Sequence, residues 1–242
     1  MSFQTKLLDP KSSQSAVWCK CNWTKDSVAD SITTIEPQRS YQNIPTMSQS
    51  SSVKSENLKN LTGVRFCLRP LMEKDVVDRY VRWLNDPMVN RFLEARFEPQ
   101  TRQSVVAYVL SYYGAAQKYI WGIYETDNRQ ILGTATLSSI NRHHGSAEIG
   151  LLVGERDYWG KGASGEALEM VIGFAFDDLG LRRLTGGTYA PNQGMNFTFM
   201  RYGFRREGTL QEACLLADGV YVDVYRWGLL SKDWRTRDRH RS

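Results

Sequence analysis

No run of apolar residues in this chain approaches the roughly eighteen needed to cross a bilayer, so no transmembrane helix is expected. The first twenty residues, MSFQTKLLDPKSSQSAVWCK, lack the apolar stretch of a secretory signal. Cysteine is scarce. Cys19, Cys21, Cys67 and Cys214 are scattered, and the one-residue gap between the first two fits neither a zinc knuckle nor a redox CxxC. A disulfide framework and a metal centre are therefore not expected, and a reduced, cytoplasmic setting is. His143 and His144 lie in a predicted turn and read as solvated loop residues, with a base role as the lesser alternative. The middle of the chain also lacks net charge. Residues 1–60 carry seven Lys or Arg against five Asp or Glu, residues 232–242 five against two, and residues 61–231 nineteen of each. The overall +5 thus belongs to the ends, which lack interleaved aromatics, and nucleic acid is not an expected partner.

What is present falls into three parts. Residues 1–60 are rich in Ser, Gln, Asn, Thr and Lys without periodicity and read as a disordered tail, with Met47 as a candidate native start. Residues 61–234 carry the patterned domain, and residues 235–242 a charged, solvated tail. In the domain, VRFCLRPL predicts a strand from Val64 to Arg69, and EKDVVDRYVRWL a helix facing inward through Val77, Tyr80, Val81 and Leu84. Asp86 and Pro87 open a short second helix, and Thr101 caps a third with Val105, Tyr108, Val109 and Tyr112 as its stripe. Tyr119–Glu125, Ile131–Ile140 and Ala147–Val153 then read as an antiparallel meander. Further on come a strand at Arg182–Tyr189, a helix from Asn192 to Tyr202 ended by Gly203, and a last strand over Gly219–Leu230. The class is α+β, or mixed α/β, without internal repeats.

The most informative stretch is LLVGERDYWGKGASGEALEMVIGFAFDDLG, Leu151 to Gly180. A strand end leads into a turn with Gly160, Lys161 and Gly162. A helix follows whose apolar face is Ala167, Leu168, Val171, Ile172, Ala175 and Phe176. A glycine turn at a helix N-terminus aims unpaired backbone N–H groups at one anion, so a phosphate-bearing cofactor is expected.

EIGLLVGERDYWGKGASGEAL resembles the cofactor motif of the GNAT acyltransferases, most closely the branch of Rim-type ribosomal-protein and amino-sugar acetyltransferases. The N-terminal LRPL strand with WLNDPMVNRFLE, the NQGMNFTFMRYGF segment and the late GVYVDVYRWGLL strand follow in the same order. The likeness spans about Val64 to Trp234. It implies a central mixed sheet, flanked by helices, that splays open to hold acetyl-CoA. The pyrophosphate would lie on Tyr158, Trp159, Gly160, Lys161, Gly162, Ala163 and Ser164. The pantetheine would pair with the strand from Gly150 through Leu151, Leu152 and Val153. Asn192 would stand at the far lip, or serve only as a helix cap. Asp157, Met195 and Phe199 depart from the family pattern, and the last two leave its usual hydroxyl acids unplaced.

Acetyl transfer to an amine needs a neutral nucleophile, donors for the oxyanion and a proton for the departing thiolate. Glu148 is the candidate base, with a structural carboxylate as the alternative. Tyr202 is the candidate displaced acid and the Leu152 N–H the candidate oxyanion donor. On the acceptor side, Asn85, Asp86, Asn90, Arg91, Glu94 and Arg96 interleave with Trp83 and Phe92, which suits a sugar or a phosphate. Trp83, Asn85, Asn90, Arg91 and, on the last strand, Asp223 are the candidate acceptor-binding residues. The resulting expectation is N-acetylation of an amino sugar or nucleotide-linked amino sugar. The alternatives are a protein N-terminus as acceptor, and a non-catalytic acyl-CoA-binding module. A homodimer is the candidate assembly.

Overall fold

The computed structural model describes residues 59–113, 118–128 and 130–238, so the expected tail at 1–60, with Met47, Cys19 and Cys21, lies almost wholly outside the described residues. The chain order is β1 (Leu61–Thr62), β2 (Phe66–Pro70), α1 (Asp78–Asn85), α2 (Pro87–Asn90), α3 (Arg102–Leu110), β3 (Tyr119–Glu125), β4 (Ile131–Asn141) and β5 (Ser146–Val153). There follow α4 (Ala163–Gly173), β6 (Arg183–Tyr189), α5 (Gln193–Arg201), β7 (Arg205–Leu215), β8 (Tyr221–Leu230) and α6 (Ser231–Asp238). The strands form one sheet in the order β1-β2-β3-β4-β5-β6-β8-β7. Among the described residues only β5 and β6 run parallel. The class is mixed α+β, as expected.

Alternation along β3 shows how the layers are built. Tyr119, Trp121 and Ile123 enter one core cluster with α4 and α5, while Ile120 and Tyr124 enter another with α1 and α3. Successive side chains leave a strand on opposite faces, so helices cover both sides of the sheet. The side of α1–α3 is called the front here, and that of α4 and α5 the back. The predicted stripe is realised along α4 and the π-helical turn Phe174–Asp178 that continues it: Ala167, Leu168, Val171, Ile172, Ala175 and Phe176 are all buried to 1 % exposure or less. Each of the larger ones contributes about 1.5–3 kcal/mol by leaving water. Thr101 caps α3, its Oγ1 accepting from the Ser104 N–H at 3.1 Å, and Asp86 caps α2 by accepting from the Met88 N–H at 2.9 Å.

Four expectations need correction. The first strand does not begin at Val64, which is 89 % exposed, because the chain turns back there to pair Leu61–Thr62 with Cys67–Leu68. Glu166 on α4 fastens this turn, its Oε1 accepting from the N–H groups of Arg65 (2.7 Å) and Phe66 (3.1 Å). The helix expected over EKDVVDRYVRWL is a 3-10 turn at Glu73–Asp75 followed by α1, so Val77 becomes an exposed cap and Trp83 joins Tyr80 and Leu84 inside. β7 was not expected at all. Residues 235–238, expected as the start of a charged tail, continue the helix α6, whose Trp234 is buried.

Candidate active site

Ser146, Ala147 and Glu148 on β5 pair with Arg183, Leu184 and Thr185 on β6, and the two strands then part. β5 continues to Val153 against β4 alone, and β6 continues to Tyr189 against β8 alone. Beyond Glu148 and Thr185 the facing edges therefore carry backbone donors and acceptors with no strand between them. Buried backbone groups need partners, and the amides of an extended pantetheine arm have the matching chemistry. The expected set from Gly150 to Val153 needs correction: Gly150 and Leu152 turn their backbone groups to β4, Leu151 turns its own to the opening, and the Val153 carbonyl accepts the Trp159 Nε1–H at 2.8 Å. Trp159 itself folds back onto the strand end to make that bond.

Above the opening, Gly160 (φ 71°) and Gly162 (φ 92°) both take left-handed backbone, with open space where a Cβ would stand. Glycine adopts this conformation without the clash that other residues meet. Gly162 is the N-cap of α4. Among the described residues the backbone N–H groups of Gly160, Gly162, Ala163, Ser164 and Gly165 have no protein acceptor. Five such donors at one helix N-terminus can hold a diphosphate, and Lys161 adds an exposed positive charge beside them. The residues present thus fit the pyrophosphate of acetyl-CoA. Tyr158 supports the turn from below. Its ring meets Phe66 edge-on at 6.2 Å, and its hydroxyl hydrogen-bonds Glu125, which raises its pKa.

Glu148 is the last β5 residue before the strands part. By strand alternation it points to the front face, opposite to Ala147 and Ile149, which face the back-side core. Its Oε1 accepts from Arg226 Nη1 on β8 at 3.2 Å. Tyr202 follows α5 on the back face, its hydroxyl lying where a Cβ on Gly165 would meet it at 2.8 Å. The two catalytic candidates therefore stand on opposite faces, with Tyr202 beside the first turn of α4 rather than beside Glu148. Phe199 is 2 % exposed and packs on Gly186 and Phe204, so that position offers no proton donor. Asn192 caps α5, its Oδ1 accepting from the Met195 N–H at 3.2 Å. His143 and His144 are exposed on the β4–β5 turn.

The acceptor side differs from the sequence expectation. Trp83 is 6 % exposed and packs against Gly154, where a Cβ would come within 2.1 Å of the indole. It belongs to the core and offers no platform. The Asn85 amide joins Val81 O to the backbone of Gln100, and buried Asn90 donates to Leu84 O at 2.8 Å. Both amides are held by the fold. Asp223 Oδ1 accepts from the N–H of Glu212, whose φ of 47° marks a bulge in β7, so this oxygen is held by the fold. Arg91 remains exposed, its guanidinium 5.3 Å from the Phe92 ring.

A different group gathers on the front. The Tyr189 hydroxyl donates to Glu94 Oε1 at 2.5 Å and accepts from Arg96 Nη1 at 3.2 Å, while its ring lies 5.8 Å from Phe92. Burial and then the Glu94 carboxylate raise the Tyr189 pKa, so the phenol stays protonated. Arg96, 3 % exposed at its side chain, also donates to the carbonyls of Leu93 and Leu215. It thereby ties the segment after α2 to β6 and β7. The sequence placed Glu94 and Arg96 near the acceptor, but only the sheet register brings Tyr189 to them.

A sheet parted beside a helix whose first turn offers donors fit for a diphosphate is an arrangement suited to acyl transfer from a CoA thioester. The family model described as an acetyltransferase (GNAT) domain matches residues 65–205, and the chain belongs to that family. The uncharacterised N-acetyltransferase p20 of Bacillus licheniformis is 28% identical over 181 residues, covering 73% of this chain and 99% of that protein. The [ribosomal protein uS5]-alanine N-acetyltransferase of Escherichia coli is 25% identical over 142 residues, or 58% of this chain and 72% of the relative. The fold is shared with spermidine N-acetyltransferase from Vibrio cholerae, solved with CoA and spermine, at a TM-score of 0.64 and 20% identity over 71% of this chain and 98% of that one. This protein is an N-acetyltransferase whose acyl donor is acetyl-CoA. Among the described residues no metal-ligating cluster is present, and no helix is long and apolar enough to cross a membrane.

Proposed function

We propose that the protein acetylates a primary amine presented from the front of the sheet, and that Glu148 accepts the proton which that amine gives up. The observation that carries this reading is the position of Glu148: a carboxylate about a third exposed, at the point where β5 and β6 part. Acetyl-CoA, when bound, supplies the thioester. The chain's own part is to hold the diphosphate on the N–H groups of Gly160 and Gly162 to Gly165, to pair with the pantetheine through the edge-facing backbone of Leu151, and to receive the amine at Glu148. The Leu151 N–H is the proposed oxyanion donor, because strand alternation turns the expected Leu152 N–H to Thr134 on β4, away from the opening. Asn192 lines the far lip, and Tyr202 borders the cofactor.

The favoured acceptor is an amino sugar or a nucleotide-linked amino sugar. The partly exposed Phe92 ring, backed by Tyr189 and with the Glu94 carboxylate beside it, suits the apolar face and hydroxyls of a pyranose. Arg91 and Arg226 suit a phosphate. The similarity to the uS5-alanine enzyme favours a second acceptor, a protein N-terminus. A homodimer acting in the cytoplasm belongs to the same proposal. The test is thiol release from acetyl-CoA with amino sugars and with N-terminal peptides as acceptors. Turnover on peptides alone would replace the sugar with the protein terminus, and no turnover on any amine would leave a binding module.

A further inference from the structure

Arg226 stands on β8, two strands away from Glu148 on β5, with β6 between them. The β6 residue paired with Arg226 is Gly187, and a Cβ there would lie 3.0 Å from Arg226 Nη1. The absent side chain lets the arginine lie across the front of β6 and reach Glu148 at 3.2 Å. The ion pair thus bridges the two arms of the sheet at the base of their opening, on the side from which an acceptor arrives. Both members keep about a third of their side-chain surface exposed, 35% for Arg226 and 32% for Glu148. A guanidinium carries five N–H donors, and among the described residues Glu148 is the only hydrogen-bond acceptor of this one. Glu207, the other nearby carboxylate, is held by both Nη atoms of Arg183. Arg226 is therefore a cation with most of its donors unused, fixed beside the carboxylate that receives the amine.

We infer that Arg226 is an acceptor-binding residue that reads an anionic group, phosphate or carboxylate, adjacent to the amine being acetylated. The acceptor is then a zwitterion, with its ammonium facing Glu148 and its anion on the Arg226 fork. Planar guanidinium groups bind such oxyanions through paired N–H bonds. An uncharged amino sugar or a polyamine fills only half of this arrangement. The inference rests on the reading of the front face as the acceptor side.

Two matched pairs of acceptors test it on the full-length protein: glucosamine 1-phosphate against glucosamine, and alanine against alaninamide. The anionic member of at least one pair should have a kcat/KM about tenfold higher or more, the size of one charged hydrogen-bond pair. The pair that shows it tells phosphate from carboxylate. Arg226→Gln should bring that ratio close to one, and Arg226→Lys should keep part of it. Each ratio is internal to one variant, so partial loss of folded protein cancels. Equal or better use of the uncharged member in both pairs overturns the inference, as does a preference that survives Arg226→Gln. Inorganic phosphate titrated into the CoA-saturated protein gives a readout free of turnover. Binding that disappears in Arg226→Gln sustains the anion site even if none of these amines is acetylated, in which case the acceptor reading alone fails. Phosphate binding that is absent, or unchanged by the substitution, overturns the site.

Discussion

Trp83 on α1 closes over Gly154 at the end of β5, leaving no room for a side chain there. The indole thereby fixes the height of α1 over the strand that leads to the cofactor turn.

Trp83→Ala should act on stability. Removing a large buried aromatic costs about 3–5 kcal/mol, read as a lower urea midpoint with an unchanged slope. Trp83→Phe should lose less stability and leave the acceptor KM unchanged at temperatures where it is folded. A raised acceptor KM with full stability would return Trp83 to the acceptor pocket.

Gly162→Ala separates backbone conformation from packing, because nothing lies within 4 Å of the added methyl. The left-handed φ of 92° costs a non-glycine residue about 1–2 kcal/mol. Calorimetric titration should show weaker CoA binding, since the freed N–H groups would be re-aimed. Gly173→Ala on α4 also meets open space, but with helical φ of its own. It should gain about 0.5–1 kcal/mol and leave CoA affinity as it was.

Glu207 supplies a dependence on pH. Its hydrogen bonds from Arg183 lower its pKa below that of the unfolded chain. A carboxyl group lowered in the folded state contributes stability above its unfolded pKa and loses it as pH falls through the folded one. Wild type should therefore lose stability below about pH 4.3, the ordinary glutamate value, more steeply than Glu207→Gln. Urea midpoints at several acid pH values check this. The contribution is small, because Glu207 is 41% exposed and solvent screens the pair.

The parts of the fold legible in the sequence were those where burial imposes a period. The α4 stripe and the capped α3 follow from one apolar face meeting the sheet, and the central strand β3 from a short apolar run buried on both faces. β7 was invisible because RREGTLQEACL is exposed along most of its length. Its strand state comes from pairing with β8, not from a hydrophobic pattern. α6 was missed for a related reason: in a charged segment, one tryptophan is its buried anchor. The α1 face was misread because a 3-10 turn shifts the phase, turning Val77 outward and Trp83 inward. In the site, the glycine turn carried its own signal in residue type and spacing. The acceptor face did not. Glu94, Tyr189 and Arg96 meet only through tertiary register, and so do Glu148 and Arg226, which are 78 residues apart.

The measurement closest to the central claim is steady-state thiol release from acetyl-CoA by wild type and Glu148→Gln with the best amine acceptor, paired with CoA titration of both. Loss of a positioned base should lower kcat about a hundredfold or more at neutral pH, with CoA affinity unchanged because Glu148 lies at the base of the opening and not on the glycine turn. Equal turnover by the two proteins, with CoA bound equally well, would contradict the assignment of Glu148 and of the front face as the place where the amine is received.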